Sequence, residues 1–281
     1  MVTPLTTRDG LSLHLIHHQL HPARGTVLIV HGLGEHLGRY AHVVRRLLDA
    51  GWAVSIYDQR GHGRSDGPRG AIAQDDDLLA DLGAVIDQVK RYQPGPLVLL
   101  GHSLGGLVAA RFVAEGVRSS AARMDWHRDV DALVLSSPAL DPGMSAVQRL
   151  LVAMLPRLLP DLVVGNGLNP AWISRDPAVV RAYVNDPLVH GRINARLARC
   201  IALLGRQVQQ AAPHWTVPTL LMWSGIDRCV AARGSVAFAA AVPPARLRAQ
   251  PWQALAHEIF NEPERGQVLD AVVAWLDALP R

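Results

Sequence analysis

Pro96-Leu97-Val98-Leu99-Leu100-Gly101-His102-Ser103-Leu104-Gly105-Gly106 passes from a short apolar run into a helical stretch that continues to Val117. An apolar run of strand length bounded by glycine reads as a buried strand. The G-x-S-x-G that follows therefore falls at a strand-to-helix junction. A serine there must stand on a sharp, strained turn, and glycines two positions to either side leave room for strand and helix to approach. Ser103 reads as a nucleophile presented at the top of a sheet.

A serine hydroxyl needs a base, and the base needs a third group to orient it. The order serine, acid, histidine along the chain fits a nucleophile on such a turn. Thr219-Leu220-Leu221-Met222-Trp223 is a second strand-like run, and it leads through Ser224-Gly225-Ile226 to Asp227. His257 is the only histidine beyond Asp227, so these two are the candidate acid and base. Acyl transfer also needs donors aimed at the developing oxyanion. The amide of Leu104, at the start of the helix, is one candidate. The amide of Leu33, in His31-Gly32-Leu33-Gly34 after the apolar run Val27–Val30, is the other.

Composition narrows the alternatives. The chain has 281 residues, 49% of them hydrophobic and 19% charged, which suits a globular domain with a sizeable core. Its net charge is +4, but Lys90 is the only lysine and no basic run is interleaved with aromatics. Nucleic acid is therefore not expected as a partner. The first residues lack a basic segment leading into an apolar core, so no secretory signal is expected. No apolar stretch is long enough to span a bilayer. Cys200 and Cys229 fall in unrelated segments and read as separate thiols of a reducing, cytoplasmic compartment, with Cys229 close to Asp227. Neither zinc-ligand spacing nor a phosphate loop is present, so no metal and no cofactor is expected.

Strand-like and helical patterns alternate through Val27–Val30, Tyr40–Ala50, Ala53–Tyr57, Asp76–Tyr92, Leu97–Leu100, Leu107–Val117 and Val130–Leu135. This rhythm predicts an α/β fold with a mainly parallel central sheet and helices on both faces. Leu11–Ile16 reads as an antiparallel edge strand. The rhythm breaks between Pro138 and Pro213. Residues 1–137 and 214–281 are thus expected to form the core, and 138–213 a helical cap inserted late in the sheet. Within the insertion, Val147, Leu150, Leu151, Met154, Leu155 and Leu158 form one apolar face. That face is expected to pack on the core as a pocket wall, with transient contact to lipid aggregates or a membrane surface.

Four segments together resemble the monoacylglycerol lipase and lysophospholipase branch of the α/β-hydrolase superfamily. They are His31-Gly32-Leu33-Gly34-Glu35-His36-Leu37-Gly38-Arg39-Tyr40, Asp58-Gln59-Arg60-Gly61-His62-Gly63-Arg64-Ser65, Gly101 to Gly106, and Asn185-Asp186-Pro187-Leu188-Val189, with Asp227 and His257. The resemblance implies a serine hydrolase that removes one long acyl chain from a glycerol-based headgroup. It also implies that Glu35 and Arg39 either shape the polar end of the site or form a structural ion pair. By the same token Asp58–Ser65 supports the site and His102 is a packing residue. The pattern departs at Phe260, where some members carry a polar side chain near the leaving alcohol. Lysophospholipase, general carboxylesterase or acyltransferase activity is the alternative. A non-catalytic, hydrolase-like binding protein is the alternative from another class.

Overall fold

The computed structural model describes residues 2–93 and 95–279. In chain order the strands are β1 (Val2–Thr6), β2 (Ser12–His18), β3 (Thr26–Val30), β4 (Ala53–Tyr57) and β5 (Leu97–His102). There follow β6 (Ala132–Ser136), β7 (Val163–Gly165), β8 (Arg192–Asn194), β9 (Thr219–Ser224) and β10 (Leu247–Trp252). The helices are α1 (Ala41–Asp49), α2 (Asp77–Tyr92), α3 (Leu104–Glu115), α4 (Ala146–Leu158), α5 (Pro177–Asn185), α6 (Ala195–Ala211), α7 (Ala232–Ala241) and α8 (Arg265–Asp277).

Among the described residues the main sheet has the order β1-β2-β4-β3-β5-β6-β9-β10. The strands from β4 to β10 in that order are parallel, and β1 and β2 add an antiparallel pair at one edge. The expected mainly parallel sheet is what forms, with one difference. β2 is not the edge strand, because Val2–Thr6 pairs outside it in register Pro4↔His14. A proline is tolerated on an outer strand, where its missing N–H breaks no ladder.

Period-two alternation builds the two core layers. Leu28, Val30, Leu97 and Leu99 face a layer shared with α2, α3, α6 and α7, and Val27, Ile29, Val98 and Leu100 face α1 and α8. The stripe Leu78, Leu79, Leu82, Val85, Ile86 and Val89 of α2 is buried as its 3.6-residue spacing requires.

The chain between β6 and β9 contains α4, α5, α6 and the small antiparallel pair β7–β8. Within it α6 lies on α3 and contributes Leu197, Cys200, Ile201, Leu204 and Val208 to the core, while α4 packs on α6. The apolar face of α4 turns out differently from the expected packed wall. Leu150 is 60% and Leu158 74% exposed, and Val147, Leu151 and Met154 are also exposed. Among the described residues of α4, Val152 and Ala153 line a cavity of about 790 Å³ against α6 and α7. No helix among the described residues is long and apolar enough to cross a membrane.

Candidate active site

Ser103 sits between β5 and α3 with φ +52° and ψ −117°. Such a conformation costs an L-residue on the order of 1–3 kcal/mol and persists only where its surroundings over-determine it. Here they do. A side chain at Gly105 would meet the Val30 carbonyl oxygen at 2.1 Å, and one at Gly101 the Gly105 carbonyl oxygen at 2.5 Å. Only glycine lets α3 come this close to β3 and β5. The Ser103 amide donates to the Ser136 carbonyl at 3.0 Å, and its own carbonyl accepts from the Leu107 and Ala139 amides, both at 3.0 Å.

Asp227 follows β9 in a turn that it organises itself. Its Oδ1 accepts the Cys229 amide at 2.8 Å and the Val230 amide at 3.0 Å, an Asx-type arrangement. Oδ2 is left to accept from His257 Nδ1 at 2.7 Å. Since Nδ1 carries the proton given to the carboxylate, Nε2 is free to accept, and it lies 2.9 Å from Ser103 Oγ. Burial alone would lower the His257 pKa, but Asp227 opposes this, aided by Glu258 and Glu35, and the net shift is upward. Burial likewise pushes the Asp227 carboxyl up, and the imidazole and the two turn amides outweigh it and hold it below the ordinary range.

Opposite Ser103 lies the loop after β3. The Gly32 backbone comes so close that a side chain there would meet Ser103 Cβ at 3.2 Å. Both polar groups of Gly32 are fixed. Its amide donates to Glu35 Oε1 at 2.6 Å, and its carbonyl accepts from His31 Nδ1 at 2.8 Å. His31 Nε2 in turn accepts from the Gln59 amide at 3.0 Å. The next amide along this loop is that of Leu33, and Leu104 offers the first amide of α3. Asp58 accepts the Leu37 and Arg64 amides, both at 2.8 Å, so the Asp58–Ser65 segment braces the same loop.

Glu35 and Arg39 lie in a buried ion network. Glu35 also accepts from the Tyr40 hydroxyl at 2.7 Å and from Arg39 at 2.8 Å. Burial pushes the Glu35 carboxyl up, yet Arg39 and the neighbouring histidines hold it down at about 2. Arg39 forks onto Glu258 at 2.6 and 2.7 Å and lies 4.8 Å from the ring centre of Tyr183 in α5. Of the two roles expected for this pair, the hydrogen bonds describe the ion pair. Glu258 escapes sequence reasoning. It stands beside His257, but nothing in its spacing announces a partner 219 residues away.

His102 donates or accepts at Ser136 Oγ across 3.0 Å and stays neutral, since burial and the nearby His257 lower its pKa to about 3. Phe260 is buried against α1 and α8, and its carbonyl accepts from His42 at 2.7 Å. Asp227, Cys229 and His257 bring one ligand atom each within 4.8 Å of one another. Burial holds the Cys229 thiol well above its ordinary pKa, and Asp227 already bonds the imidazole. A cation there would have to displace two protons. Cys200 and Cys229 are both free thiols, Cys200 buried and Cys229 partly so.

Comparison with known proteins identifies the family. The family profile described as "Serine aminopeptidase, S33" matches residues 21–264. A monoacylglycerol lipase of Mycolicibacterium smegmatis is 36% identical over 90% of this chain and 88% of its own length. The Homo sapiens monoglyceride lipase is 31% identical over 75% of this chain and 68% of its own. The crystal structure of a Paleococcus ferrophilus monoacylglycerol lipase superposes with a TM-score of 0.82 at 32% identity, covering 95% of this chain and 99% of that one. Together these matches show that the chain is a hydrolase of the serine aminopeptidase S33 family and belongs to the monoacylglycerol lipase branch of the α/β-hydrolase superfamily.

Proposed function

We propose that the protein hydrolyses carboxylic esters of the monoacylglycerol type through an acyl-enzyme on Ser103. The observation that carries this reading is the unbroken line from Asp227 through His257 to Ser103, at 2.7 and 2.9 Å. Ser103 Oγ attacks the ester carbonyl carbon as His257 Nε2 takes its proton. Asp227 keeps the imidazole in the required tautomer and stabilises the imidazolium. The Leu33 and Leu104 amides donate to the oxyanion, which in other acyl-transfer sites contributes about 10²–10³ in rate per donor. The tetrahedral species collapses, the carbon–oxygen bond of the ester breaks, and His257 gives its proton to the departing alcohol. Water then repeats the sequence on the acyl-enzyme and releases the acid.

The substrate class rests on the relatives named as monoacylglycerol lipases and on a fitting cavity. One lining residue of that cavity, Leu140, follows Ala139, whose amide bonds the Ser103 carbonyl. Its volume of about 790 Å³ suits a single acyl chain, and its walls mix apolar residues such as Leu140, Met144, Val152 and Leu203 with Arg199, Arg206 and Arg233. Residues 138–213 act as the cap over a core formed by 1–137 and 214–281. The exposed face of α4 touches lipid aggregates or a membrane surface, and Glu35 and Arg39 position the oxyanion loop.

A hydrolysis panel of mono-, di- and triacylglycerols, lysophospholipids and short-chain esters tests the reading, alongside labelling by a fluorophosphonate. Monoacylglycerol is expected to be the best substrate, with one label per chain that Ser103→Ala loses. Equal labelling of Ser103→Ala, or turnover no better than that of His257→Ala, rejects it.

A further inference from the structure

Four residues beyond the partner of Arg39, the loop that carries His257 holds a second acidic side chain, Glu262, which is fully buried. A buried carboxylate persists where donors satisfy it, and this one has four. Its Oε2 accepts from the Ala256 amide at 2.9 Å and from Arg175 Nε at 2.5 Å. Its Oε1 accepts from the Ser174 hydroxyl at 2.6 Å and from the Arg175 amide at 2.7 Å. One of the four donors therefore belongs to the residue immediately before His257. The other three belong to Ser174 and Arg175, in the insertion between β6 and β9.

The same short segment grips the loop from the other side of His257. The Glu258 amide donates to the Ile173 carbonyl at 2.8 Å. Ser174 Oγ also accepts the Asp176 amide at 3.0 Å, and Asp176 is the residue that caps α5. Tyr183 of α5 then reaches Arg39, which holds Glu258. Both residues flanking the imidazole are thus tied, through Glu262 and Ile173, to the base of α5. No backbone ladder holds residues 253–262, which lie between β10 and α8.

We infer that Glu262 is a positioning residue through which Ile173–Arg175, at the base of α5, holds the His257 loop in register with Ser103. The inference rests on the esterase reading above and adds to it a link between the docking of the insertion and the proton relay. If the segment withdraws, Glu262 loses three of its four donors and the amide before His257 loses its anchor. The imidazole is then free to leave the 2.9 Å contact with Ser103. Arg175 also pairs with Glu264, so its side chain straddles the loop and the start of α8.

The test uses the full chain, a p-nitrophenyl ester and a fluorophosphonate. Glu262→Gln keeps the shape but puts an amide NH₂ among four donors. It is expected to lose about 10–100-fold in kcat, as loss of orienting partners does at other sites, with KM changed less than twofold and Ser103 labelling slowed by the same factor. The far-downfield proton resonance of His257 Nδ1–H is expected to broaden or shift. Arg175→Gln, at a partly exposed position, carries the test if Glu262→Gln does not fold, with an expected 3–10-fold loss in kcat at unchanged KM. A folded Glu262→Gln variant that keeps kcat within twofold overturns the inference. So does a kcat loss with parental labelling rate and an unmoved Nδ1 resonance. For Arg175→Gln, unchanged kcat does the same. A parent protein that neither turns over ester nor takes the label overturns the esterase reading itself, and this inference with it.

Discussion

The imidazoles of His102 and His257 lie 4.9 Å apart between ring centres, yet their basicities move in opposite directions. Both are buried, which disfavours the charged form of each. His257 faces the Asp227 carboxylate and is raised above the ordinary value of 6.5, whereas His102 faces the neutral Ser136 hydroxyl and falls to about 3.

The base in the proposed mechanism is neutral His257, so activity should rise with pH as that group loses its proton. A raised pKa moves this rise upward. The acid limb of kcat/KM is therefore expected to have its midpoint above 6.5. Asp227→Asn removes the leading cause of the rise, so the limb should move to lower pH while kcat falls by about 10⁴ through the wrong tautomer. His102→Asn, which retains a partner for Ser136, should leave the limb in place and the rate within about threefold. A second limb that vanishes in His102→Asn would make His102 a base.

Backbone proximity at the elbow gives a prediction about stability. In Gly105→Ala the new methyl would lie 2.1 Å from the Val30 carbonyl oxygen and 2.4 Å from that of His31, and neither backbone atom can swing away. The variant should lose roughly 3 kcal/mol or more in a urea titration. Gly266→Ala, exposed in the first turn of α8 with nothing within 4 Å, is the control. It should gain up to about 1 kcal/mol through helix propensity.

What the sequence reveals and what it hides divide along physical lines. Gly101, Ser103 and Gly105 are legible because a strained turn and a close approach restrict residue type locally. Asp227 and His257 are legible because a strand end and a chain order restrict position. β1 is obscure because Pro4 argues against a strand, and only pairing with β2 settles the matter. The pair β7–β8 is three residues a side, too short for any periodicity to register. The apolar face of α4 has the spacing of a core helix, but spacing cannot say whether the protein or another phase covers it. Glu258 and Glu262 are ordinary acidic residues in sequence; what makes them structural are arginines 219 and 87 residues away.

The Arg39 network predicts an unusual pH response. Arg39→Met leaves Glu35 and Glu258, 3% and 5% exposed, without their common cation. Breaking a buried pair in this way costs about 3–5 kcal/mol near neutrality. In the parent, Glu35 is held at about 2, so its contribution is present above its unfolded value and lost only as pH falls toward 2. In the variant burial should raise the Glu35 carboxyl above its unfolded value, and a raised acid stabilises the fold at low pH and ceases to as pH rises. The gap between variant and parent in urea titrations should therefore narrow from pH 7 to pH 5. A gap that widens toward acid would place the anchoring charge elsewhere.

The exposed face of α4 separates chemistry from access to an aggregated substrate. Val147, Leu150, Leu151, Met154 and Leu158 project from one side of the helix, while Val152 and Ala153 line the cavity on the other. Replacing Leu150 and Leu158 with glutamate should change stability by no more than about 0.5 kcal/mol each, because neither is packed. Hydrolysis of a dissolved p-nitrophenyl ester should stay within twofold of the parent, since no residue touching the Ser103–His257–Asp227 line has changed. On monoacylglycerol dispersed in anionic vesicles the rate should fall at least tenfold, and co-sedimentation with those vesicles should be lost. Equal losses on both substrates would mean that the leucines shape the cavity from outside, and unchanged rates on both would leave α4 without contact to lipid.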